Sequence, residues 1–421
     1  MVEKTVLDCG LVVISEYIKT FPSFALSYSL RGGSRSEIED NNGIHHCIEH
    51  MLFKGSSKYN LKQIADITDR LGGRLNAFTS KEVTQYHTKA IVEKLVESFD
   101  LLTDIVINST FIPEEFTKEI NVLVQEIKEA EDSPETNAFE TLYENIYQNN
   151  GLGYPIGGKE DRVSSFARDN VYNFYQTYYT PDNLLLAGVG NIEHDRLVQL
   201  AADAFKRFPA KAPRDFAFPV PTYRAKSFSK KNKSLKQVYA IIGYEAPSAI
   251  SHLRHRFTLM NDILGGGMSS RLFQEIREEK GLAYTVNSFA DTYLDSGLHL
   301  IYSIVDKEKI DEYLEAVNIE IIRLKEKGIT QDELNRSRDH MKSAVILSLE
   351  SSSSRMRFHV NNELNLKRES TIEEIVDDIN RATVDDINLL FREYLDMSNA
   401  ALLLYGDVKA VHAHHIKKRK S

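Results

Sequence analysis

Two stretches of this 421-residue chain repeat each other: "NLLLAGVGNI" at 183–192 and "AALLLYGDV" at 400–408. Each is a short apolar run interrupted by glycine, and each follows a segment of helical period, near 169–178 and 384–394. Such a run reads as a buried strand. The order of elements leading up to each also repeats. The first half opens with a hairpin around "DCG" (8–10) and a strand "SFALSYSLRGG". A histidine-bearing segment follows, then a helix near 61–71, a strand over 74–91, and helices near 92–108 and 113–131. The second half opens with the strand "QVYAIIGYEA" (237–246). It continues with a helix over 252–264, a strand over 282–305, and helices near 307–327 and 330–349. A chain of this length is too long for one core and suits two of roughly 200 residues. The repeat therefore predicts two copies of one plan, each a sheet with helices on it.

The linker between the copies lies within 209–234, where four prolines precede a basic, serine-containing run. We draw it at 218–233, between domains at 1–217 and 234–421.

The halves part company at one place. "GIHHCIEHMLFKG" (43–55) packs three histidines, a cysteine and a glutamate into six consecutive positions. A helix brings His46 and His50, four apart, onto one face, with Glu49 beside them. Two imidazoles so placed can hold one Zn²⁺ and leave room for a third ligand and a water. The metal lowers the water's pKa toward 7, which makes the neighbouring Glu49 an adequate base. This His-x-x-Glu-His order reverses the His-Glu-x-x-His of thermolysin-like enzymes. His45 and Cys47 fall off the ligand face and read as a neighbour and a packed thiol. The matching helix of the second half, "SHLRHRFTLMNDILGGG", has His252 and His255 three apart with no glutamate nearby, which reads as solvated surface.

A third ligand should be a carboxylate from another element. "PEEFTKEINVLVQEIKEAED" offers Glu119, Glu126 and Glu129; the first two are seven apart on one helix face, and Glu129 can share part of it. The apolar neighbours "VLVQEI" suggest that Glu126 sits on a buried face.

The motifs "HCIEH" with "MLFKGSS", "GGRLNAFTSKEVTQY" and "NVLVQEIKEAEDSP" together resemble the M16 metallopeptidases, or inverzincins, over about residues 2–408. The length points to half-size bacterial members similar to the mitochondrial processing peptidase β subunit. The resemblance implies an α+β fold of two homologous domains, each a mainly antiparallel β-sheet flanked by helices. It places the third zinc ligand 76 residues after the second histidine, at Glu126, and a supporting glutamate seven earlier, at Glu119. It makes Asn76, Ala77 and Phe78 an edge strand onto which an extended peptide adds by main-chain hydrogen bonds. "REEKGLAYTV" resembles the family's arginine–tyrosine pair: Arg277 would orient the substrate backbone, and Tyr284 would help stabilise the oxyanion. The short "GGGM" at 265–268 needs no more than a tight turn. One departure is the Cys-Ile pair between the ligands, where many relatives have Phe-Leu.

The implied activity is zinc-dependent endopeptidase or oligopeptidase cleavage of extended or unfolded peptides inside a clamshell chamber, with one zinc per chain. The chamber implies a homodimer. The rival is a non-catalytic binding or scaffold subunit, which loss of the motif marks; here the motif is intact. A structural zinc protein is disfavoured because four ligands close such sites. Net charge is −9, against a nucleic-acid binder. The one basic run, "KKRK" at the C-terminus, reads as a solvated tail. No window approaches the ~18 apolar residues of a membrane span. The N-terminus lacks the marks of a signal peptide. Two cysteines make no disulfide framework, so a reducing, cytoplasmic compartment is expected.

Overall fold

The first hairpin follows from β-branched runs around a turn that only glycine accepts. Strands β1 (Val2–Val6) and β2 (Val12–Tyr17) pair antiparallel. Gly10 between them has φ +91°, and a Cβ there would meet Asp182 Cβ at 2.8 Å. In this computed structural model, residues 2–72, 74–209, 216–367 and 370–408 are described. The "KKRK" run and residues 210–215 of the proline-rich stretch lie outside them.

The first sheet adds β3 (Ser23–Leu30), β4 (Asn76–Thr79), β5 (Thr84–Ile91) and β6 (Leu184–Gly190), in the order β1-β2-β6-β3-β5-β4. Strands β3 and β6 are almost wholly buried; in β6 this shows as a continuous apolar run, whereas β3 also buries Ser27 and Ser29. The second sheet comprises β7 (Ser227–Lys231), β8 (Gln237–Glu245), β9 (Ala283–Thr292), β10 (Gly297–Asp306) and β11 (Ala401–Gly406), ordered β7-β11-β8-β10-β9. With β1 set aside, the two orders correspond strand for strand. The parallel pairs β2–β6 and β7–β11 also correspond, and the remaining pairs in both sheets are antiparallel. The protein is α+β, with two such sheets flanked by helices.

Three expectations need correction. The segments 74–91 and 282–305 are not single strands: each is a hairpin, β4–β5 and β9–β10. The stretch 218–233 is not wholly linker, because β7 lies in it and pairs with β11 at the sheet edge. Its lysines and serines read as linker, yet lysine is what an exposed edge strand carries.

The third correction concerns the contiguous division at 1–217 and 234–421. Backbone contacts divide the chain into one unit of Met1–Glu131, Asn149–Pro219 and Ser348–Glu369, and another of Asp132–Gln148, Val220–Leu347 and Ser370–Ser421. Each half has lent a helix to the other's unit. The Ser352–Asn361 helix sets Met356 and Val360 against Ile14, Ala25, Leu185, Ala187 and Val189 of the first sheet. There Glu16 accepts bonds from Arg355 (2.6 Å) and His359 (3.0 Å). The Pro134–Ile146 helix packs on the second sheet, with Phe139 against Phe289 and Tyr302 and Tyr143 hydrogen-bonded to Asp291. Among the described residues no helix is long and apolar enough to cross a membrane.

Candidate metal centre

Helix α1 (Ile44–Leu52) starts where a glycine and a buried carboxylate make a helix start possible. Gly43 has φ +96°. The Glu37 carboxylate accepts the backbone N–H groups of Gly43 (2.7 Å) and His45 (3.0 Å), satisfying donors that a helix start leaves open. Burial pushes the Glu37 carboxyl up to about 7, against the pull of these bonds. Ile44, Cys47, Ile48, Met51 and Leu52 form the buried face. His46, Glu49 and His50 line the half-buried side.

Helix α2 (Leu61–Arg70) and helix α3 (Leu95–Ile107) precede helix α4 (Pro113–Asp132), which supplies the carboxylates. His46 Nε2 and His50 Nε2 lie 3.9 and 3.5 Å from Glu126 Oε2. The three residues each offer a ligand atom within 4.8 Å of the others, the one such group of metal-capable side chains among the described residues. Tetrahedral zinc with bonds of about 2.0–2.1 Å wants ligand atoms about 3.3 Å apart. The set fits a zinc ion with small side-chain adjustments, and its N,N,O donors suit that metal.

The Glu126 side chain is 44% exposed, so the buried-face argument for it does not hold. Leu123 and Ile127 take the buried face, and Glu126 stands on the flank that meets the histidines. Glu129 is exposed and outside the group. Glu119, by contrast, is 4% exposed. Its Oε1 accepts from His50 Nδ1 (2.8 Å) and its Oε2 from Lys54 Nζ (2.6 Å). The first bond places the His50 proton on Nδ1 and turns Nε2 toward Glu126.

The two histidines differ electrostatically. Burial holds His46 down to about 4, with His50 adding to the effect, so it is neutral and ready to ligate. Its 3.9 Å approach to Glu126 is therefore not an ion pair. For His50 burial works in the same direction, but Glu119 and the carboxylates of Glu126 and Glu49 outweigh it and raise its pKa. Glu119 is itself held low by bonds from His50 and Lys54, against burial. Burial raises Glu49 above the usual carboxylate range, Thr79 and His50 opposing it.

His45 is fully buried, its Nε2 2.9 Å from the Ser36 hydroxyl and its ring against Phe174 and Phe216. Cys47 is fully buried too. Strand β4, with Asn76, Ala77 and Phe78, is the edge of its sheet. The next residue, Thr79, donates its hydroxyl to Glu49 Oε2 at 2.5 Å. Neither Thr79 nor Lys54 stood out in the sequence. Their signals were there: Lys54 is four after His50, and Thr79 adjoins the edge-strand residues.

In the second unit, Arg277 lies on a π-helical turn, Phe273–Glu279, and Tyr284 at the start of β9. The Arg277 guanidinium sits 4.5 Å from the Tyr284 ring centroid and 4.7 Å from that of Phe273. Tyr284 is 77% exposed, which is not how a core tyrosine sits. His252 is exposed, but His255 is half-buried rather than solvated.

Residues 12–160 match the family model described as insulinase (peptidase family M16). Residues 165–341 match that described as the peptidase M16 inactive domain. A Bacillus subtilis protein named uncharacterized zinc protease YmxG is 35% identical over 404 residues, covering 96% of this chain and 98% of its own. The chain belongs to peptidase family M16. A Rickettsia felis protein named uncharacterized zinc protease is 33% identical over 405 residues, covering 96% of this chain and 97% of its own. The M16 fold also recurs in a solved structure of a protease from Helicobacter pylori, with TM-score 0.89 and 22% identity over 96% of this chain and 99% of that one. Within this M16 chain the metal-capable group and Glu49 fall in the first matched region, whereas Arg277 and Tyr284 fall in the second.

Proposed function

We propose that this M16 protein is a zinc-dependent endopeptidase or oligopeptidase that cleaves extended or unfolded peptides. The observation that carries the reading is the convergence of His46, His50 and Glu126 with Glu49 on the same side of α1. Three protein ligands leave a coordination position for chemistry, as catalytic rather than structural zinc sites do. One zinc per chain, held there, would supply a Lewis acid that acidifies water and polarises the scissile carbonyl.

The chain's own residues do the rest. The exposed side of β4 at Asn76–Phe78 takes the peptide as an added strand, so backbone rather than sequence is recognised. Glu49 accepts the proton of the attacking water and delivers it to the departing amine nitrogen, which frees the new amino terminus. Glu119, held by Lys54, keeps His50 in its ligating tautomer. Tyr284 donates its hydroxyl to the oxyanion, and Arg277, stacked on that ring, orients the substrate backbone. A homodimer of isologous two-fold symmetry would close the chamber and bring the Arg277–Tyr284 pair of one protomer to the metal centre of its partner. Both cysteines are free and buried, which supports a reducing, cytoplasmic setting.

Profiling on a random peptide library tests the reading. We expect internal cleavage that a chelator abolishes and added zinc restores. Cleavage that survives complete removal of the metal would reject it.

A further inference from the structure

The hydroxyl of Thr79 lies 2.5 Å from Glu49 Oε2, and the position of that hydroxyl is unusually well secured. Thr79 ends strand β4, paired with Thr84 across the β4–β5 turn. That turn is held on its inner side by the main chain of 33–35. Ser34 N donates to Ser80 O (3.2 Å) and Arg35 N to Lys81 O (2.8 Å). The approach is close enough that a Cβ on Gly33 would sit 2.2 Å from Ser80 O. The Arg35 side chain, fully buried, pairs with Glu82 of the same turn. Lys81 reaches the Tyr154 carbonyl. A β-branched side chain on so fixed a backbone has few orientations open to it. The hydroxyl is thus a preset donor, and a charge-assisted O–H···O⁻ bond of this length is a strong one.

Glu49 needs such a donor. It reaches across from α1 through three rotatable bonds, and a base that wanders by about 1 Å can lose ~10²-fold in rate. With Oε2 held by Thr79, Oε1 is left for the proton of the water. We infer that Thr79 is a positioning residue for Glu49, so that the strand offered to the peptide also sets the base that acts on it. This rests on the peptidase reading above. It links binding to chemistry: a peptide adding along Asn76–Phe78 stiffens β4, and with it Thr79 and Glu49. Peptides that span the strand should therefore show a higher kcat as well as a lower KM.

The test compares wild type, Thr79→Val, Thr79→Ala, Thr79→Ser, Glu49→Gln and Glu49→Gln/Thr79→Val on one quenched-fluorescence peptide, with zinc content measured for each. Thr79→Val should lower kcat about tenfold or more, with KM within about twofold and zinc content as in wild type. Thr79→Ser should recover most of the loss. In the Glu49→Gln background, Thr79→Val should take nothing further, because it acts through Glu49. Thr79→Ala should show the same kcat loss should valine disturb the fold. The wild-type rate measured alongside tests the peptidase reading by itself; the ratio of variant to wild type tests this inference. A Thr79→Val kcat within about twofold of wild type would overturn it. So would a serine variant as slow as valine, or an equal further loss on top of Glu49→Gln.

Discussion

The helix after β3 and the helix after β8 occupy the same place in the two sheets' plans and do different things. Helix α1 buries one side and leaves His46, Glu49 and His50 half-buried on the other. Its counterpart, Arg254–Gly265, buries Phe257, Leu259, Met260, Ile263, Leu264 and Gly265. Of its polar residues, Asn261 bonds the fully buried His299 and Asp262 bonds the exposed His340. The edge hairpins differ in the same sense. Strand β4 is four residues long and stops at a clamped turn beside Glu49, whereas β9 runs for ten and carries the exposed Tyr284 at its second position. One strand frame therefore supports either a metal-capable group of side chains or a cation–aromatic pair. What decides is which helix face is left unburied and where the edge strand stops.

The comparison can be broken most severely at the histidines. His50→Ala should lose zinc and all turnover, because a site of three protein ligands does not survive the loss of one. His255→Ala, in the equivalent helix of the second unit, should leave zinc content unchanged. Elemental analysis of both variants checks this, and zinc loss from His255→Ala would mean the units do not differ as described.

Tyr284→Phe should keep full zinc and lose about 10²–10³ in kcat, the range for one oxyanion donor. Mixing it with Glu49→Gln sharpens the division of labour. If the pair acts on the partner's metal centre, each mixed dimer has one intact site and one doubly defective site. With random exchange half the dimers are mixed, so activity should return to about a quarter of wild type. If each protomer builds its site alone, an exchanged mixture recovers nothing.

A smaller effect is expected one step behind the metal. Glu119→Gln weakens the bond that orients His50, and zinc affinity should fall about 10–100-fold while the site still loads at saturating zinc. Competition with a chromophoric chelator measures it. Unchanged affinity would remove Glu119 from the orienting role.

Local rules made parts of this molecule readable and failed where partners are distant. The spacing of His46 and His50 is a helix rule and needed no tertiary information. Burial, however, pointed the wrong way for α4: the exposed Glu126 faces the histidines and the buried Glu119 stands behind them. The exchange of the Pro134–Ile146 and Ser352–Asn361 helices was invisible because nothing in Phe139 or Met356 says which sheet will receive it. The β4–β5 turn "SKEV" has no glycine, proline or asparagine. Its local signal is Ser80, whose hydroxyl bonds both the N–H and the carbonyl of Val83; the rest of what holds it is the main chain of 33–35 and the Arg35 side chain, nearly fifty residues away in sequence. Strand β7 was hidden by the lysines that suit an edge.

The central claim is that Glu49 performs chemistry on a metal it does not hold. Glu49→Gln measures it directly, since the amide keeps the shape and discards the proton-accepting charge. Zinc content should remain at about one per chain, and peptide turnover should fall by at least ~10²-fold. Cleavage near the wild-type rate, in protein shown to be fully loaded, would contradict the account.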